Sequence, residues 1–163
     1  MPRRLPLALL TLLTACSSQI SGVQTFTYKS GEVRGGLIAY DQLPPAGGAY
    51  GPLWQRCGAY AQPIYPEYAL HSLARGAVWL TYRPDLAPEQ LSMLREAIKD
   101  QPQILLSPLP GQPSAVVLSA WNAQLSLEKV DDGRLKRFIQ IYAAAKTVPE
   151  PDAGCMNGFT GTQ

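Results

Sequence analysis

Three cysteines and a single histidine carry most of the chemistry open to these 163 residues. Cys16 closes the stretch Leu13-Thr14-Ala15-Cys16, directly after an apolar run from Leu5 to Leu13 that is interrupted only by Pro6 and Thr11 and preceded by Arg3 and Arg4. A positive start, a short apolar stretch and small residues before a cysteine make an export leader of the lipoprotein type. The run is too short to cross hydrocarbon as a helix, which takes about 20 residues. Small residues fit the cut-site groove of a lipoprotein signal peptidase, and the Cys16 thiol is the nucleophile that accepts a diacylglycerol. The expectation is a leader over residues 1–15 and lipidation at Cys16, with several acyl chains anchoring stably where one would bind only marginally. An ordinary secretory cut nearby would leave Cys16 a free, reactive thiol.

Cys57 and Cys155 then remain as an even pair. In an exported protein such a pair is most economically a disulfide. No C-x-x-C suits it to redox work and no four-ligand set suits it to zinc, although a reactive Cys57 would make the chain a thiol oxidoreductase. His71 and Ser72 adjoin, yet helical neighbours point about 100° apart and make no ready nucleophilic dyad. Asp131 and Asp132 precede a helical pattern and read as caps. No nucleophile elbow, dinucleotide fingerprint, phosphate loop or H-E-x-x-H occurs.

The elements that must position these groups follow from composition and periodicity. Apolar residues make up 46% and charged residues 16%, enough for a core and well under the roughly 25% charge of an ordinary soluble domain. With Arg3 and Arg4 removed, twelve basic residues face twelve acidic ones, and no basic surface for gripping nucleic acid is implied. Residues 16–34, polar and rich in Ser, Thr, Gln and Gly, read as a lipidated tether, and residues 35–163 as the domain. Within it, Pro66 opens a helix stopped by Gly76, residues 77–82 form a strand, and Pro88 to Lys99 is a helix with Leu91, Leu94 and Ile98 on one face. Short strands over 103–106 and 115–121 follow, with another over 125–130. A last helix spaces Leu135, Phe138, Ile139 and Tyr142. The expected fold is a single compact α+β domain, helices packed on a small mixed sheet.

A long Pro/Gly-rich loop over residues 41–66 precedes these elements and holds Tyr50, Trp54, Tyr60 and Tyr65. Aromatics at that density must cover something or be covered. They read either as an interface, since Tyr and Trp are enriched in binding hot spots, or as a lid folded onto the chain's own sheet.

Pro44-Pro45-Ala46-Gly47-Gly48-Ala49-Tyr50, Cys57-Gly58-Ala59-Tyr60, His71-Ser72-Leu73-Ala74-Arg75-Gly76 and Ala120-Trp121 together resemble a bacterial domain-of-unknown-function family of exported and envelope-anchored proteins. Its pattern is similar to P-P-x-S-G-P-H, C-G-x-Y, H-x-L-E-H-G and A-W. Tyr50 stands where that pattern has histidine, Ala74 where it has glutamate and Arg75 where it has a second histidine; only His71 is kept. A metal site built from those groups would have lost most of its ligands. The lipoprotein form also resembles a small deinococcal envelope lipoprotein that accompanies a surface layer. That resemblance implies an accessory subunit of a surface-layer or outer-envelope assembly, or, as the alternative, a copper-only superoxide dismutase. For copper the available donors are His71 with Met93 or Met156, or several copies of His71 gathered by a homo-oligomer's symmetry.

Overall fold

The structure is a computed structural model describing residues 19–29 and 31–163; the leader and Cys16 lie outside the described residues. A strand that is apolar at nearly every position needs cover on both of its faces. Three such strands, β3 (Val78–Tyr82), β4 (Ile104–Pro108) and β5 (Val116–Ala120), are buried at every residue and form the middle of one six-stranded sheet. β6 (Ala123–Leu127) and the two-residue strands β1 (Gln24–Thr25) and β2 (Gly58–Ala59) complete it in the order β1-β6-β5-β3-β4-β2. β3 with β4 and β4 with β2 run parallel, the rest antiparallel, so the sheet is mixed.

Because side chains alternate across a strand, the sheet has two distinct cores. Val78, Leu80, Ile104, Leu106, Val116, Leu118 and Leu125 pack with Leu94 of α2 (Pro88–Ala97) and with Leu135, Phe138 and Ile139 of α3 (Arg134–Tyr142). Trp79, Leu105 and Trp121 pack on the other face with Ala69, Leu70, Leu73 and Ala74 of α1 (Pro66–Ala74). Gly76 ends α1 because the turn needs a positive φ, here 89°. Its N–H reaches Leu73 O while Ala77 N–H reaches Ser72 O, the paired bonds that satisfy a helix's last carbonyls. The cap position of α3 falls on Gly133, which has no side chain to cap with, so neither Asp131 nor Asp132 is the cap; Asp132, one residue earlier, accepts from the Arg134 N–H at 2.9 Å and pairs with its guanidinium.

The last strand, expected over 125–130, runs over Ala123–Leu127, while the α+β fold, all three helices and β3, β4 and β5 match the sequence expectation. The boundary at residue 35 does not. Gln24 and Thr25 pair with Gln124 and Ala123, Asn122 holds both backbone groups of Tyr28 at 2.7 and 2.9 Å, and Ile20 is buried against the α2/α3 core. The described residues read as tether are thus built into or laid along the domain from Ile20 onward. Their polar side chains face water while their backbone supplies the missing edge of the sheet. Among the described residues, no helix is long and apolar enough to cross a membrane.

Candidate functional site

The polar residues of α1 converge on one carboxylate. His71 and Arg75, four apart, share a face of the helix. Over that face lie the loop carrying Tyr50, Gly51 and Trp54 and, from the other end of the chain, the segment around Glu150. Glu150 Oε1 accepts the Tyr50 hydroxyl at 2.8 Å and lies 3.2 Å from His71 Nε2. Glu150 Oε2 accepts from Arg75 at 2.9 Å. Arg75 also donates to Gly154 O at 2.6 Å and Ala153 O at 3.0 Å, and its guanidinium lies 4.0 Å from the centroid of the Trp54 ring. His71 is stacked on Tyr50 with centroids 4.5 Å apart and meets the Trp54 ring edgewise.

Protonation is set by these contacts. His71 Nδ1 sits 2.8 Å from Gly51 O, and a carbonyl only accepts, so Nδ1 carries the ring proton. In the neutral ring the Nε2 lone pair then faces the Glu150 carboxylate, and that contact becomes a hydrogen bond only when a further proton enters. Burial holds His71 below its ordinary value, Arg75 acting in the same sense, against the opposing pull of Glu150 and Gly51 O. Tyr50 is pushed up to about 12, by burial first and then by its bond to Glu150. A phenol so held is a hydrogen-bond donor, not a nucleophile, at neutral pH. The arrangement can hold and release a proton, and it fastens the C-terminal segment across α1.

That fastening continues along the strap. Cys57 and Cys155 form the expected disulfide, closing a span of 98 residues. Cys57 N–H bonds Cys155 O, Trp54 Nε1 donates to Met156 O at 3.2 Å, and Phe159 exchanges backbone bonds with Trp54 and Arg56. Phe159 packs against Tyr65 and Tyr68. Ser72 donates to Gln55 O at 2.6 Å, a structural bond with no nucleophilic geometry toward His71.

The proposed metal donors do not assemble. Met93 is exposed on α2, beneath the opposite face of the sheet from His71, where it lines a groove of about 790 Å³ between α2 and α3. Met156 is on the strap near Trp54, but it is 58% exposed and held through its backbone carbonyl. Both nitrogens of His71 already face partners, and the residue is only 5% exposed, so loop and strap keep it from meeting other copies of itself. His71, Met93 and Met156 are thus not brought together as one donor set. Among the described residues no group of three His, Cys, Asp or Glu is placed to share an ion.

The aromatic loop splits in two. Tyr50 is a core residue rather than an interface residue, 3% exposed and edge-on to Trp121. Trp54, Tyr60 and Tyr65 are half-buried, Tyr60 donating to Arg56 O at 2.5 Å, so the loop acts as a lid on α1. Leu53, Met156 and Phe159 are exposed apolar residues around it. Glu150, the hub, went unread in the sequence. Its one signal was a carboxylate between two prolines, Pro149 and Pro151, in a tail otherwise without reason to be ordered.

Fold and site together define an α+β domain whose principal helix is sealed by an aromatic loop and a disulfide-pinned strap, with the motif positions Tyr50, His71, Arg75 and Trp121 all on that one side. The chain belongs to the family described as Protein of unknown function (DUF3105), whose model matches residues 33–157. No curated protein and no solved structure matches it.

Proposed function

We propose that this chain is an exported, lipid-anchored envelope protein that serves as an accessory subunit of a surface-layer or other outer-envelope assembly. The observation that carries the reading is the Cys57–Cys155 bridge. Such a bond persists in oxidising, extracytoplasmic compartments, and it accompanies a leader-like stretch over residues 1–15 directly before Cys16. Resemblance to the small deinococcal lipoprotein supports the surface-layer setting. Leu53, Met156 and Phe159, exposed around the half-buried Trp54 and Tyr65, are the surface such a subunit would offer a protein partner.

Mass spectrometry of the protein from native membranes should find Cys16 acylated and residues 1–15 removed; an unmodified Cys16 overturns the anchor. Leu53→Ser and Met156→Ser, both at exposed positions, should weaken co-purification with the envelope layer without changing the melting temperature. Retention equal to that of the parent chain removes the interface. Copper-dependent dismutation draws no support from the placement of Met93 and Met156. Stoichiometric copper in the exported protein, lost in His71→Ala, would reinstate it.

A further inference from the structure

Resting on the anchor at Cys16, we infer that the body lies directly on the bilayer, with the outer stripe of α3 against anionic phospholipid headgroups. The length of chain before the ordered body is the first argument. Ile20 follows Cys16 by four residues and is already buried in the core. Four fully extended residues span at most about 14 Å, where a free tether over residues 16–34 would reach roughly 60 Å. An acylated Cys16 therefore keeps the surface around Ile20 and Ser21 close to the headgroups.

What stands at that surface is the start of α3. Arg134 donates to Ser21 O at 3.0 Å, and its guanidinium lies against Gly22. Residues 134, 137 and 141 share one stripe of a helix by spacing. Arg137 is exposed with no ion pair among the described residues, and Ile141 is 40% exposed. A cation one turn from an exposed isoleucine, on an amphipathic helix lying along the body, is the pattern of an interfacial contact. Arg134 and Asp132 neutralise each other as an ion pair and Asp131 lines the groove between α2 and α3, so Arg137 is the cation that this stripe offers. Neither Arg137 nor Ile141 lines that groove. In this pose Leu53, Met156 and Phe159, on the α1 side of the sheet, stay free for a protein partner.

The test supplies the tether chemically, so that its result is separate from whether cells acylate Cys16. With Cys57 and Cys155 paired, Cys16 is the remaining thiol. A chain beginning at Cys16 is coupled there to a maleimide phospholipid in nanodiscs of phosphatidylcholine, with or without phosphatidylglycerol, and read by hydrogen exchange. Amides of residues 134–142 should exchange about fivefold more slowly in the anionic discs, the effect of one cation at such a surface. Arg137→Glu should abolish the difference and Arg137→Lys should retain it. Equal exchange in both discs, or protection centred on residues 53–56 and 156–159, overturns the docking face even where mass spectrometry confirms the native anchor.

Discussion

Replacing Glu150 by alanine removes the one acceptor shared by Tyr50, His71 and Arg75. Both bonds end on a carboxylate and are charge-assisted, each contributing about 1.5–3 kcal/mol, which puts the Tyr50 and Arg75 bonds together at about 3 kcal/mol or more. Two features reduce that. The Glu150 side chain is 32% exposed, so water screens the pair, and Arg75 keeps the carbonyls of Ala153 and Gly154 together with the face of Trp54. A loss of about 2 kcal/mol is expected after that discount. Urea unfolding followed by tryptophan fluorescence reads it, with an Arg75→Ala, Glu150→Ala double-mutant cycle giving a coupling of about 1 kcal/mol. A single-variant loss under about 0.5 kcal/mol, the range of an ordinary surface change, together with zero coupling, would show that the strap is held by its disulfide and backbone bonds and that the carboxylate hub is incidental.

Three further outcomes follow from the same geometry. His71 has a folded value below its unfolded one, so the unfolded chain binds more protons in the window below about 6.5; stability should fall as pH drops through that window, and His71→Gln should flatten the slope of melting temperature against pH. Opening the 98-residue loop with Cys57→Ser should cost up to about 4.7 kcal/mol by the chain-entropy model, and less where the Glu150 contacts hold the strap; an unchanged urea midpoint would contradict the strap's role. Gly158→Ala would place a Cβ 2.6 Å from Trp54 O and 2.8 Å from Arg56 N, backbone atoms that cannot yield, and should cost about 2 kcal/mol, read as faster proteolysis after residue 154.

Local pattern made the long elements legible: the Leu91, Leu94, Ile98 spacing for α2, the nearly continuous apolar runs for β3 and β5, Gly76 as a stop. Where order comes from a distant partner the sequence carries no such mark. Gln24-Thr25 and Gly58-Ala59 are strands because β6 and β4 offer them open edges, not because of their own side chains. Periodicity placed Met93 on a helix but could not say beneath which face of the sheet the helix would pack. Tyr50 looked like an interface aromatic because its cover, α1 and Glu150, comes from 21 and 100 residues away. The cysteines and His71 were readable as chemistry; the carboxylate that organises His71 was not, since pairing across 75 or more residues leaves no spacing to recognise.

The late position of Glu150 has a consequence for how the molecule is made. Synthesis delivers Arg75 to water 75 residues before its counter-ion exists. During that interval an imidazole and a guanidinium destined for the interior stand open beside apolar loop side chains, a condition that invites aggregation or chaperone capture. Maturation of this chain is therefore decided at its closing stretch: until that stretch arrives the sheet has all its strands but α1 has only the aromatic loop over it, and only the final segment lets oxidation of Cys57 and Cys155 lock loop and strap together.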